Sequence, residues 1–174
     1  MILGIDPGSK VTGYGLLCTA NKSGPCALDW GLIAPPANTP LNERIGLMAE
    51  SVEALIKRYR PAAIAVESQF IHLNPQSALK LGLVRGAILF AAKKENVASF
   101  EYSPALVKKR SSGSGRATKQ QMIIFIASTL QIEPDQLTAD SADALATAYC
   151  HWRQAMRSEL FSAPQALSTS ASSP

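Results

Sequence analysis

Two acidic residues stand where buried strands are predicted to end. Ile2 to Ile5 form a short apolar run closed by Asp6, and Pro61 to Val66 form a longer apolar run closed by Glu67. Sites in open α/β sheets form at the carboxyl ends of the strands. Because a predicted helix between the two runs favours a right-handed parallel crossover, we expect Asp6 and Glu67 to lie side by side.

A second pair of acids opens an alanine-rich segment that is predicted to be helical from Thr138 to Arg157. Asp140 and Asp143 are three residues apart and therefore share a helix face. Thr138 can cap the helix, and acids in a first turn also interact favourably with the helix dipole. Dipole-compensating surface acids are therefore the alternative to a functional role. A turn aspartate and a salt-bridged strand end are the corresponding alternatives for Asp6 and Glu67.

Four clustered carboxylates would repel one another unless cations or protons compensated them. Ligation by oxygen alone selects hard ions, so the cluster predicts Mg²⁺, two ions per site, with Mn²⁺ able to substitute. Such a pair of ions would activate a water and stabilise the departing oxygen in attack on a phosphodiester. We expect Asp6 to bridge both ions and Glu67 to hold one of them. The other ion would be held by Asp140 and Asp143.

A cluster of basic residues lies in a window without acids, between Glu101 and Glu133. Its members are Lys108, Lys109, Arg110, Arg116 and Lys119. Such a cluster is typical of a surface that binds a phosphate backbone, and a solvated loop is the alternative. The serines and glycines of residues 111–115 predict a mobile basic loop in either case. Lys119 could neutralise charge that develops on a scissile phosphate.

An aromatic residue and several glycines accompany the predicted strand ends. Phe70 follows Glu67 closely and would suit stacking on an unpaired base, although a core position is an equal alternative. Gly8 lies in the turn after Asp6, and Gly13 and Gly15 lie in the returning strand. We interpret these glycines as clearing space for a phosphate or a metal ion.

Composition bounds the remaining possibilities. The 174 residues, 47% hydrophobic and 17% charged, suit one globular domain, which we predict over residues 1–157 with a disordered tail over 158–174. No apolar run is long enough for a membrane span, and no signal peptide is expected. The three cysteines and the two histidines, His72 and His151, lack metal-site spacing, which suits a reducing cytoplasm.

The predicted elements describe an α/β fold. Strands over 12–20 and 26–34 would complete an antiparallel meander with the first strand. Helices are predicted over 41–59, 74–96, 104–108 and 117–131, with a further strand over 97–102. The helix that starts at Asn74 is apolar over so wide an arc that it is either central or buries one side against a partner subunit.

Five segments resemble the RuvC family of Holliday-junction resolvases. They are GIDPGSKVTGYG, AVESQF, NPQSALKLGLVRGA, GSGRATK and ADSADALATA, in collinear order from Met1 to about Arg157. The resemblance implies a ribonuclease-H-like fold with a mixed five-stranded sheet. It also implies a homodimeric, Mg²⁺-dependent endonuclease that cuts two symmetric strands of a four-way DNA junction in recombination and repair. RuvA and RuvB, the branch-migration proteins, are the implied partners.

The resemblance also assigns roles to individual residues. The family's catalytic acids fall on Asp6, Glu67, Asp140 and Asp143, and its base-contacting wedge falls on Phe70. Its DNA-contacting lysines fall on Lys108 and Lys119, and the helix from Asn74 supplies its dimer interface. The segment KKRSSGSG departs from the family, whose members often carry an apolar residue where Ser111 or Ser112 stands.

Other classes share parts of this pattern. Actin-like ATPases and sugar kinases open with a similar strand, turn and hairpin, but they need a second phosphate loop for which this length leaves no room. A junction- or RNA-binding module without catalysis and a ribonuclease-H-like RNA-processing enzyme are further alternatives. The presence of all four acids favours catalytic activity.

Overall fold

The computed structural model describes residues 1–19, 24–68 and 75–162, with side chains up to residue 157. Five strands form one sheet: β1 (Ile2–Asp6), β2 (Thr12–Cys18), β3 (Cys26–Ile33), β4 (Ala63–Glu67) and β5 (Ala98–Tyr102). Five α-helices accompany it: α1 (Leu41–Tyr59), α2 (Pro75–Lys94), α3 (Pro104–Ser112), α4 (Lys119–Leu130) and α5 (Ala139–Ser162). A short 3₁₀ helix, Pro134–Gln136, precedes α5.

The sheet is mixed, as predicted. Its strand order is β3-β2-β1-β4-β5. The first three strands pair antiparallel as a meander, and β4 and β5 add parallel to β1. The crossover from β3 to β4 runs through α1, which begins and ends at the predicted residues.

The two faces of the sheet carry side chains of different size. Bulky residues of β1, β2 and β4 (Leu3, Ile5, Leu16, Ile64, Val66) pack with α1 and α2 in one core cluster. Because side chains alternate along a strand, the residues between them face the opposite helices. Those positions hold small residues such as Gly4, Gly15 and Ala65, over which α5 packs. Asp6 continues the series of Ile2 and Gly4, so it lies on the α5 side.

Two boundaries differ from the sequence-based expectation. Helix α3 was expected to end at residue 108 but continues to Ser112, so Lys109 and Arg110 are helical rather than part of a loop. Gly113 ends it in the left-handed conformation, at a φ of 79°. Helix α5 continues past residue 157 to Ser162, into the segment predicted as a disordered tail. The rest of that tail and the predicted cap Asn74 lie outside the described residues.

Within the described ranges, none of the helices has the length and apolar character needed to cross a bilayer.

Candidate active site

The parallel pairing of β1 and β4 brings two acids to the same edge of the sheet. Ile5 pairs with Val66, so Asp6 and Glu67 follow as neighbours at the strands' carboxyl ends. Each side chain is only 8% exposed. The predicted juxtaposition of these two acids is therefore observed.

Helix α5 supplies the other two acids, and its close approach to the sheet depends on glycine. A methyl group added at Gly13 would lie 2.1 Å from the carbonyl oxygen of Asp140, and one added at Gly4 would lie 2.0 Å from that of Ala144. Backbone-to-backbone contact this close excludes any side chain at either position. Gly13 and Gly15 therefore let helix α5 pack close to the sheet. From the sequence we had interpreted these two glycines as clearing space for a phosphate or a metal ion.

The first turn of α5 is held by reciprocal hydrogen bonds between Thr138 and Ser141. The backbone N–H of Ser141 donates to Oγ1 of Thr138 at 3.2 Å, and the N–H of Thr138 donates back to Oγ of Ser141 at 3.0 Å. This capping fixes the orientation of the turn that carries Asp140 and Asp143. Both acids are half-buried.

The turn after Asp6 is fixed by two side chains. Oγ1 of Thr12 accepts a hydrogen bond from the N–H of Gly8 at 3.3 Å. The guanidinium of Arg44 donates to the carbonyl oxygens of Ser9 at 2.9 Å and of Thr39 at 2.7 Å. Arg44 was missed by sequence reasoning because it occupies the polar face of an amphipathic helix, where an arginine signals nothing by itself.

The four acids line a single cavity of about 530 Å³. Lys108 from α3 and Lys119 from the first turn of α4 line the same cavity, and their predicted contact with a phosphate stays a prediction. Ser9 and Ser77 also line it and were not predicted. Arg116 lies elsewhere, on a separate cavity with Ser112, Ser114, Ala117 and Gln121. Phe70 and His72 lie outside the described residues.

Burial and mutual repulsion perturb the acids strongly. Burial, followed by the charge of Asp143, raises the pKa of Asp6. Burial, followed by the charge of Asp6, raises the pKa of Glu67. A hydrogen bond joins the two side chains, so the pair shares a proton whose loss burial and the nearby negative charges oppose. Burial also raises the pKa of Asp143, while the nearby charges of Lys119 and Lys108 lower it.

The donor set suits a hard divalent cation. Four carboxylates line the cavity, and such a cation could replace the proton that Asp6 and Glu67 share. Across the described ranges, however, no three Asp, Glu, His or Cys side chains are arranged around a common metal position. The predicted bridging role of Asp6 therefore stays a prediction.

The sheet is an antiparallel meander continued by two parallel strands, and helices cover both of its faces. This arrangement defines the ribonuclease-H-like class of proteins. The solved structure of Thermus thermophilus RuvC in complex with a Holliday junction substrate matches with a TM-score of 0.83 and 30% identity, over 90% of this chain and 95% of that one. The yeast mitochondrial Holliday junction resolvase Ydc2 matches with a TM-score of 0.63 and 16% identity, which supports the fold alone. The predicted fold class is confirmed.

The sequence comparisons are more specific than the fold. The model of the family "Crossover junction endodeoxyribonuclease RuvC" matches residues 2–151. A RuvC of Protochlamydia amoebophila is 41% identical over 87% of this chain and 89% of its own length. A RuvC of Desulfitobacterium hafniense is 39% identical over 87% and 91% respectively. The chain belongs to the RuvC family of crossover junction endodeoxyribonucleases, and the prediction of a nuclease is confirmed.

Proposed function

We propose that this chain resolves four-way DNA junctions by Mg²⁺-dependent hydrolysis of one phosphodiester in each of two symmetric strands, in recombination and DNA repair. The observation that carries the proposal is the single cavity in which four carboxylates face two lysines. The solved junction complex of the Thermus thermophilus relative supports the choice of substrate.

Asp6, Glu67, Asp140 and Asp143 would hold the metal ions, two per site, and Mn²⁺ would substitute for Mg²⁺. When bound, the ions supply a nucleophilic water at neutral pH and stabilise the departing oxygen. The raised pKa of Glu67 supports this assignment, because burial and the neighbouring carboxylates disfavour its ionised form, and a bound cation would supply the missing positive charge as the proton leaves.

Lys108 and Lys119 would hold the DNA backbone beside the acids. Both side chains line the acid cavity, from α3 and α4 respectively. Lys119 lowers the pKa of Asp6 and of Asp143, so its charge acts where a scissile phosphate would lie. Arg116, which is exposed on the separate cavity, would contact backbone further from the cut. Phe70 would stack on a base at the junction's crossover.

A symmetric substrate calls for two copies of the site, and α2 offers a surface for a homodimer. Val84 and Ile88 face the core, whereas Leu79, Leu83 and Phe90 are 67%, 48% and 69% exposed. Residues at spacings of four and seven form one stripe along a helix. Gly82 and Gly86 interrupt the stripe with open space above them, which would let a second helix approach closely. RuvA and RuvB remain the expected partners, with the cytoplasm as the place of action.

The decisive experiment compares three substrates with the purified chain in Mg²⁺. We expect paired, symmetric cuts in a synthetic four-way junction, with little cutting of linear duplex DNA or structured RNA. Binding of the junction without cleavage would favour a non-catalytic module, and preferential cleavage of RNA would favour an RNA-processing enzyme. Repeating the assay with metal chelated should abolish cutting; unchanged cutting would refute the role assigned to the acids.

A further inference from the structure

Two cysteines face each other across the β2–β3 hairpin. Cys18, the last residue of β2, pairs with Cys26, the first residue of β3. Both are half-buried. They lie far from the acid cavity, because Thr12 at the other end of β2 is the residue that holds the turn after Asp6. Nothing in the proposed cleavage reaction uses them.

A β-bulge creates this pairing. Leu16 pairs with Asp29 and Leu17 with Ala27, so Leu28 has no partner across the strand and its side chain is 49% exposed. Without the extra residue, Ala27 would face Cys18. Bulges re-aim side chains in this way. The pairing of the two cysteines depends on this irregular register. Their spacing in the sequence could therefore not reveal it.

The geometry of the pair suits a covalent bond. Residues directly opposite in an antiparallel pair have Cα atoms about 4.5 or 5.5 Å apart. Both separations fall within the range of about 4.4–6.8 Å that a disulfide spans. Burial raises the pKa of the Cys26 thiol, and the charge of Cys18 and a hydrogen bond to it raise that pKa further. The register and this hydrogen bond place the two thiol side chains beside each other across the hairpin.

We propose that Cys18 and Cys26 form a reversible intramolecular disulfide when the chain meets a small disulfide oxidant such as oxidised glutathione. The thiolate of one cysteine attacks the oxidant and releases one glutathione thiolate. The second cysteine's thiolate then attacks the protein sulfur of the mixed disulfide and releases the other glutathione. Two protein thiols thus lose two protons and two electrons, and one oxidised glutathione becomes two reduced molecules.

The third cysteine provides an internal control. Cys150 is fully buried in α5, away from the hairpin, and has no accessible surface for an oxidant to reach. Burial raises the pKa of its thiol to about 11, which further limits its reaction. The proposal therefore requires that oxidation joins Cys18 to Cys26 and leaves Cys150 reduced.

Peptide mapping tests the proposal directly. The full chain is incubated with oxidised glutathione, its remaining thiols are alkylated, and it is digested with trypsin without reduction. Cleavage after Lys10, Lys22 and Arg44 separates peptides 11–22 and 23–44, each of which carries one cysteine of the pair. We expect these peptides to remain joined until dithiothreitol is added. Cys150 should be recovered alkylated.

Serine variants provide matched controls. Cys18→Ser and Cys26→Ser should each lose the joined peptides and retain one glutathione on the remaining cysteine, whereas Cys150→Ser should keep them joined. Recovery of Cys18 and Cys26 as alkylated thiols or as separate glutathione adducts would overturn the proposal. A link from either one to Cys150 would overturn it as well.

Discussion

Asp6 and Glu67 are the residues whose protonation most depends on folding. In the folded chain, burial and neighbouring charges raise the pKa of both acids above their ordinary values near 4. The folded state therefore binds more protons than the unfolded state from about pH 4 upward. The stability that this protonation provides is fully present below about pH 4. It is lost as the pH rises through the raised pKa values of Asp6 and Glu67.

For the metal-free chain, we predict that the melting temperature falls from pH 5 to pH 8. Glu67→Gln keeps a neutral, hydrogen-bonding side chain, so its melting temperature should fall less over the same range. Mg²⁺ should raise the melting temperature of the unsubstituted chain more at pH 8 than at pH 5, because the cation replaces the proton. An equally steep fall in Glu67→Gln would show that the pair of Asp6 and Glu67 does not cause the pH dependence.

Asp143 is the residue at which we expect catalysis and binding to separate. We predict that Asp143→Asn lowers the rate of junction cleavage by on the order of 10³-fold or more, because the loss of the metal ligand proposed here would forfeit several kcal/mol of transition-state stabilisation. Junction affinity should be preserved, since Lys108 and Lys119 remain. Asp135→Asn, at an exposed position outside the cavity, is the matched control and should cleave normally. Loss of both binding and cleavage in Asp143→Asn would indicate a structural role.

Ser111 is a buried polar residue of α3. Its hydroxyl has no hydrogen-bond partner among the residues that the structure describes, and it lies in the segment that was expected to depart from the family. We predict that Ser111→Ala raises the free energy of unfolding by about 1 kcal/mol, because the desolvation cost of the hydroxyl disappears. Denaturant unfolding measures this change.

Ser112 gives the control for that prediction. Its hydroxyl donates to the carbonyl oxygens of Lys108 at 3.0 Å and of Ser114 at 3.2 Å. Ser112→Ala should therefore lower the free energy of unfolding, or leave it unchanged. Equal effects of the two substitutions would show that Ser111 has found a partner in solution.

Among the elements, α5 packs directly against the glycines of the sheet. We predict that Gly13→Ala lowers the free energy of unfolding by on the order of 3 kcal/mol and impairs cleavage further, because the added methyl displaces the turn that carries Asp140. Gly46→Ala in α1 is the matched control: a methyl there meets no atom within 4 Å. It should stabilise the chain slightly, by about 0.5–1 kcal/mol, as expected for a glycine inside a helix.

The same elements show what the sequence could predict. The apolar runs that end in Asp6 and Glu67 were enough to predict strands β1 and β4. Helical periodicity was enough to predict where α1 begins and ends. The role of Gly13 was misread, because a glycine in a strand leaves space without indicating what fills it. The end of α3 was misplaced, because serine and glycine favour a loop locally while Val107 and Ser111 are buried against the core.

At the scale of the whole molecule, the proposed homodimer depends on the exposed stripe of α2. We predict that Leu83→Glu converts a dimer to a monomer in sedimentation experiments, because a buried charge without a partner would cost several kcal/mol at the interface. Leu47→Glu makes the same substitution at an exposed leucine of α1 and should leave the dimer intact. If the Leu83→Glu variant remains a dimer, the dimer interface lies on a surface other than α2.

The contact between α5 and β1 has a consequence for synthesis in the cell. Asp6 is synthesised well before Asp140 and Asp143. A nascent chain that lacks α5 also leaves the small-residue face of its sheet uncovered. The cavity therefore gains its last two acids only once α5 has been made, and before that point the sheet edge holds two of the four.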